Sequence, residues 1–212
     1  MLKINEIFYS IQGEGISSGL PCIFIRLTFC NLRCSYCDTE YAFYEGRDMT
    51  IDEIFNEINK YDCNLVEVTG GEPLVQGESI DLMKKLCDSG YNVMLETGGS
   101  LSIQNVDKRV KTIIDFKCPS SKMIDKNDFS NVEYLRPTDE VKFVIGNQED
   151  YEWSKKIIKK YKLDKKCEIL FSPVFNQLTN KELVNWILAD NLKVRFQTQL
   201  HKNIWEPDKR GV

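Results

Sequence analysis

Three cysteines, Cys30, Cys34 and Cys37, fall within eight residues in the spacing C-x-x-x-C-x-x-C. They follow an apolar run, Ile23 to Phe29, that reads as a strand. A tight loop after such a strand can turn three thiolates toward one group. A [4Fe–4S] cube normally takes four cysteines, so three would leave one iron open to a small molecule. Zinc sites more often use two C-x-x-C pairs or mixed Cys and His, and no second pair exists here. A zinc ion completed by a distant cysteine, or buried free thiols, stay open on the cysteines alone.

The elements that would hold such a loop belong to a chain of 212 residues, 42 % hydrophobic and 28 % charged, with a formal net charge of −4. That length builds a single domain with a sizeable core. The acidic balance argues against the basic footprint of a nucleic-acid binder. No apolar run approaches the ~20 residues of a membrane span, and no signal peptide is evident. Eight cysteines without an export signal imply a reducing compartment, where clustered thiols serve metal or redox chemistry. The chain as a whole reads as a cytoplasmic enzyme acting on a small molecule. Cys22, Cys63, Cys87, Cys118 and Cys167 are scattered and read mostly as small core residues.

Residues 1–22 read as a strand or hairpin arm carrying the turn Gln12-Gly13-Glu14-Gly15, whose glycines allow close backbone approach. Strands are expected at Ile23–Phe29, Leu65–Thr69, Asn92–Thr97, Thr112–Phe116, Glu140–Ile145, Glu168–Phe171 and Lys193–Thr198. Helices are expected from Thr50, whose Thr-x-x-Glu with Glu53 is a capping box, and at Ser79–Asp88, Glu149–Tyr161 and Asn180–Ala189. Strands separated by helices of this length imply parallel βαβ units. Phe116 to Asp139 reads as a long loop, and residues 199–212 form a C-terminal tail.

Alternation within the strands decides the architecture. A sheet covered on both faces has nearly continuous apolar strands. Here one period-2 set is polar: Arg26 and Thr28, Glu67 and Thr69, Asp115 and Lys117, Glu140 and Lys142, then Arg195, Gln197, Gln199 and His201. Their neighbours are apolar. The pattern predicts an open, partial β/α barrel of about six parallel strands, with helices outside and a polar lumen. Cys30, in phase with Arg26 and Thr28, would face that lumen.

Thr69-Gly70-Gly71-Glu72-Pro73-Leu74 ends the second strand of the parallel series and, alone, is either punctuation or backbone bared to a polar ligand. Combined with C-x-x-x-C-x-aromatic-C, it resembles the radical S-adenosylmethionine (SAM) superfamily. That resemblance implies that the open iron binds the amino and carboxylate groups of SAM. One electron from the cluster then yields methionine and a 5′-deoxyadenosyl radical. Gln12-Gly13-Glu14-Gly15, Phe24-Ile25-Arg26-Leu27, Cys37-Asp38-Thr39, Glu96-Thr97-Gly98-Gly99, Cys118-Pro119-Ser120-Ser121 and Gln199-Leu200-His201-Lys202 extend the likeness over most of the chain. They are similar to the 7-carboxy-7-deazaguanine synthase family. That family contracts 6-carboxy-5,6,7,8-tetrahydropterin, with loss of ammonia, on the way to deazapurines such as queuosine.

The resemblance implies roles for residues here. Cys30, Cys34 and Cys37 would hold the cluster and Thr39 a magnesium ion. Gln12, Gly13, Glu14, Arg26, Thr69 and His201 would meet substrate, with Arg26 suited to a bidentate grip on its carboxylate. Tyr36, Cys37, Asp38, Gly70, Gly71, Glu72, Glu96, Asp115, Phe116, Lys117, Ser172, Pro173 and Val174 would surround SAM. Asp115-Phe116-Lys117 departs from the Ser-Pro-Lys of many members, so Lys117 transfers best. The family also implies a flavodoxin or ferredoxin as reductant and a homodimer. An activase acting on a protein glycine would leave Gln12–Gly15 and the Asp38-Thr39 pair unexplained. A non-catalytic metal or electron-transfer protein would leave the polar lumen unexplained.

Overall fold

The computed structural model describes residues 1–212 as one nine-stranded sheet with helices on its outer face. The chain opens with β1 (Leu2–Ile11), which returns through a loop into β2 (Pro21–Leu27), antiparallel to it. A short β3 (Arg47–Met49) pairs with the other edge of β1. Then follow α1 (Ile51–Ile58), β4 (Leu65–Gly70), α2 (Glu78–Asp88), β5 (Asn92–Thr97) and β6 (Lys111–Asp115). The chain continues through β7 (Glu140–Ile145), α3 (Gln148–Tyr161), β8 (Glu168–Pro173), α4 (Asn180–Ala189), β9 (Arg195–Phe196) and α5 (His201–Ile204). The sheet order is β3-β1-β2-β4-β5-β6-β7-β8-β9, with every pair from β2 to β9 parallel.

The series is thus six full parallel strands plus a two-residue seventh. It is a partial barrel, as the alternation predicted, but no helix separates β5 from β6, and between β6 and β7 only 3₁₀ turns occur.

Local chemistry accounts for the helix boundaries. Thr50 Oγ1 accepts the Glu53 N–H while Glu53 accepts that of Thr50, which closes the capping box. Thr179 and Glu182 repeat the arrangement at α4. The apolar phase of β2, β4 and β5 meets α1 and α2 through Ile25, Val68, Leu95, Ile54, Leu82 and Leu86. A second cluster packs β6 to β8 against α3 and α4 through Val141, Phe143, Phe171, Tyr151, Leu183 and Ile187.

Two expectations needed correction. The strand expected over Lys193–Thr198 shrinks to Arg195–Phe196 because it pairs with β8 at only two positions. Beyond it the chain leaves the sheet, and His201 opens α5 instead of continuing a strand phase. Arg195 is exposed and pairs with Glu168, outside the lumen.

Phe143 is fully buried among Phe116, Trp153 and Phe171. Phe143→Ala is therefore expected to cost about 3–5 kcal/mol, measured by anaerobic denaturant unfolding.

Candidate active site

The polar phase of the strands and the loops at their C-terminal ends surround a cavity of about 530 Å³. That is within the range of small-molecule sites. Cys30, Cys34 and Cys37 line it on one side, half-buried and unpaired by disulfides. Their loop is clamped from two directions. Gly70 has φ +151° and packs on the backbone of Leu27, and a side chain at Gly71 would strike the Phe29 carbonyl. Only glycine permits both approaches. Glu72 N–H then donates to Phe29 O at 2.8 Å. On the far side Ser35 N–H donates to Ser121 O at 3.1 Å and Ser35 Oγ to Ser120 O at 2.6 Å. The Cys118–Ser121 segment is therefore a brace for the cysteine loop.

Burial pushes all three thiols up, so ionisation would come with metal binding. No three His, Cys, Asp or Glu side chains converge as a single ion would require. A cube, whose thiolates each bind a different iron, spreads its ligands wider. Two orphaned atoms fit a polar cofactor beside it. Tyr36 Oη and Asp115 Oδ1 are buried without a hydrogen-bond partner, a cost that a bound amine or hydroxyl would relieve. Both residues line the cavity, as does Lys117, whose Nζ lies 2.8 Å from Asp115 Oδ2.

The floor of the lumen is an ion network. Lys142 Nζ is 3.0 Å from Glu14 Oε2 and 3.9 Å from Asp115 Oδ2, and it also contacts Glu96. Burial pulls its pKa down, but these carboxylates outweigh that and hold it well above the ordinary lysine value. Glu14 further accepts from Gln197 Nε2 at 3.0 Å and Gln199 Nε2 at 3.1 Å. Gln12 Oε1 accepts the Glu14 N–H, and Gln12 Nε2 donates to Glu67.

Above the floor, Arg26 Nε donates to Glu6 at 2.8 Å, and Tyr41 Oη donates to the same oxygen at 2.9 Å. Its guanidinium faces the rings of Phe8 and Tyr41 at 5.7 and 6.0 Å. The remaining guanidinium donors are free for a carboxylate. Asp38 Oδ2 accepts from Lys202 Nζ at 2.8 Å and from Gln199, and Thr39 Oγ1 donates to Asp38 Oδ1. His201 packs against Gly13, and Leu200 N–H donates to Gly13 O at 3.0 Å. The tail closes over this side: Pro207 to Lys209, Gly211 and Val212 line the cavity. Arg210 lies 3.7 Å from the Tyr41 ring centroid and pairs with Glu45 at 2.9 Å.

The sequence profile of the radical SAM superfamily matches residues 24–187. The 7-carboxy-7-deazaguanine synthase of Chlorobaculum tepidum is 48 % identical over 100 % of this chain and 97 % of its own. That of Koribacter versatilis is 43 % identical over the whole of both. The chain belongs to the 7-carboxy-7-deazaguanine synthase family of radical SAM enzymes. Its fold is that of the crystal structure of QueE from Escherichia coli, with TM-score 0.79 at 22 % identity over 94 % of each chain.

Of the residues to which the resemblance gives a metal, substrate or SAM role, all but Glu72 and Phe116 line the one cavity. Glu72 is fully buried and accepts from Thr97 Oγ1, Gly98 N–H and Leu74 N–H. Burial raises its pKa against those donors. It joins the Gly-Gly turn to the Glu96–Gly99 turn and has no face for SAM. Phe116 is fully buried in the outer core against Phe129 and Phe143. Strand phase explains it: Asp115 and Lys117 point in, so Phe116 points out.

Sequence reasoning did not assign Glu6, Tyr41, Glu67, Lys142 or Lys202 to the site of this synthase. Glu67 and Lys142 carried a signal in their lumen phase, whereas Glu6 meets Arg26 across the β1–β2 ladder, and Tyr41 and Lys202 reach the site from a 3₁₀ turn and from α5. Because Lys142 neutralises several buried carboxylates, Lys142→Met should destabilise by about 3–5 kcal/mol. Adding Glu96→Gln should recover part of that loss, read by anaerobic denaturant titration of the single and double variants.

Proposed function

We propose that the protein converts 6-carboxy-5,6,7,8-tetrahydropterin to 7-carboxy-7-deazaguanine with loss of ammonia, in deazapurine biosynthesis of the kind that leads to queuosine. The observation that carries this reading is that one cavity joins the three-cysteine loop to Arg26, Gln12 and Glu14. Cluster chemistry and recognition of a carboxylated heterocycle would thus meet in the same space. Full-length likeness to curated synthases supports it.

Cys30, Cys34 and Cys37 would hold a [4Fe–4S] cluster. SAM would lie between Tyr36, Cys37, Asp38, Gly70, Gly71, Glu96, Asp115, Lys117 and the Ser172-Pro173-Val174 turn. When bound, cluster and SAM together supply the one-electron chemistry that removes a hydrogen atom from substrate. The chain's own part is placement. Arg26, fixed by Glu6, grips the substrate carboxylate with its free donors. Gln12 and Glu14 face the amide and amine edge, with Glu14 held in place by Lys142 Nζ at 3.0 Å. Thr69 and His201 complete the substrate wall, with Gly13 leaving room for the His201 ring. Burial lowers the His201 pKa, which favours the neutral ring at pH 7.

Thr39 Oγ1 and the substrate carboxylate would offer hard oxygens to Mg²⁺, an ion that keeps several waters and needs few protein ligands. The tail over the cavity would keep out water and oxygen. A flavodoxin or ferredoxin would deliver the electron. The enzyme would act in the cytoplasm as a homodimer. No helix is long and apolar enough to cross a membrane.

The deciding experiment is anaerobic turnover with SAM, reductant, Mg²⁺ and 6-carboxy-5,6,7,8-tetrahydropterin, followed by mass spectrometry. Product in excess of SAM is expected. Steady 5′-deoxyadenosine release without a deazaguanine acid would overturn the pterin assignment while keeping radical chemistry. Cys34→Ala should lose bound iron and turnover together. Arg26→Lys should raise KM at least about tenfold, since an ammonium cannot reproduce the paired donors.

A further inference from the structure

Apart from exposed Asp208, the side-chain carboxyl groups that line the lumen are those of Glu14, Asp38, Glu67, Glu96 and Asp115, and Glu140 lines the void beneath. Lys202 serves Asp38 and Lys111 serves Glu140. Lys142 serves Glu14, Glu96 and Asp115, and Lys117 serves Asp115. Glu67 has no cation. It sits at the middle of β4, 3 % exposed, and it lines both the main cavity and the small void beneath it. Its partner is a neutral amide, Gln12 Nε2, which donates to Glu67 Oε2. A buried carboxylate without a countercharge is costly and escapes by taking up a proton.

The position of that proton follows from Gln12. Because Gln12 Oε1 accepts the Glu14 N–H, the amide cannot flip, and its NH₂ must face Glu67. Glu67 Oε2 is therefore an acceptor, which leaves the hydroxyl on Oε1. That oxygen has no protein partner and keeps some accessible surface. Because Glu67 lines the cavity, a ligand there has a route to it.

We propose that Glu67 is a neutral carboxylic acid whose Oε1–H donates a hydrogen bond to an acceptor atom on the heterocycle of the bound substrate. This assignment deepens the proposed function and rests on it. The floor would then read the ligand with both senses of hydrogen bond. Glu14, whose oxygens already accept from Lys142, Gln197 and Gln199, accepts, whereas Glu67 donates. A heterocycle with its donors and acceptors exchanged would leave both groups unpaired, which is how polar sites discriminate.

The groups facing Glu67 from its neighbours are Glu14 after β1, Cys22 on β2, Glu96 on β5 and Lys142 on β7. Burial first, and then the Glu96 charge, push the Glu67 carboxyl up to about 8, against the pull of Gln12 and Lys142. Cys22 is held up by its own burial. In the unfolded chain Glu67 would ionise near the ordinary glutamate value of 4.5. Between those two values the folded state keeps a proton that the unfolded state gives up. The wild type therefore loses stability as pH rises through this window and levels off above it.

Two measurements on the reconstituted holoenzyme test the assignment. The first is the melting temperature of wild type and Glu67→Gln across that pH window. The variant's advantage should grow steadily with pH; a constant difference would show Glu67 ionised throughout and overturn the neutral acid. The second is the pH profile of kcat/KM for 6-carboxy-5,6,7,8-tetrahydropterin. The wild type should fall about tenfold per pH unit above the Glu67 transition, and Glu67→Gln should lose that limb. Glu67→Leu should raise KM at least about tenfold with a smaller change in kcat, and Glu67→Gln should recover part of the loss. An unaltered KM in a folded Glu67→Leu would overturn the donor role. A wild type that binds SAM but never turns over the pterin would instead sink the function and this ligand together, with the melting curves still reporting the acid's charge.

Discussion

The buried ammonium of Lys142 is the constraint around which the site closes. It joins Glu14 from the loop after β1, Glu96 at the top of β5 and Asp115 at the end of β6 to its own strand, β7. Glu14 in turn receives Gln197 and Gln199 from the C-terminal segment. One cation thus ties the first loop of the chain to its last segment across an open barrel. Ion pairs of this kind add little net stability, because desolvation offsets attraction. Their effect is on geometry: any displacement of one member leaves a charge buried without a partner. Such pairs can hold a polar lumen in one arrangement before ligand arrives.

The cysteine loop depends on a different physics. Here backbone meets backbone, Gly70 and Gly71 against Leu27 and Phe29, with Ser35 tied to the Cys118–Ser121 segment. Glu72 carries the same clamp onward to Thr97 and Gly98. Three motifs distant in sequence become a single rigid frame. Thiols on such a frame are spaced by the fold and not by the incoming metal, and this preorganisation lowers what binding must spend on ordering.

Much of this was legible from the residues. The alternation of Glu67 with Val68 and of Lys142 with Phe143 separates a wet concave face from an apolar outer one, because side chains on a strand must alternate. The same rule placed Phe116 outside between Asp115 and Lys117, although motif position had grouped it with the ligand contacts. Glu72 misled for a related reason. A charged residue within a ligand-binding motif can serve the turn that presents the ligand, and only its three internal donors reveal that.

The sequence by itself determined the close spacing of three thiols, the parallel βα repeat, the capping boxes and the polar phase of the strands. These are local properties, written in spacing and periodicity within a few residues. Only the tertiary structure decided which carboxylate receives Lys142 and which is left without a cation. It also decided that Tyr41 and Glu6 brace Arg26, and that Pro207 to Lys209, Gly211 and Val212 line the cavity. Those outcomes depend on side chains tens of residues apart meeting in a region sheltered from water. There the energy of a charge is set by its nearest partner, and no reading of either segment alone contains that distance.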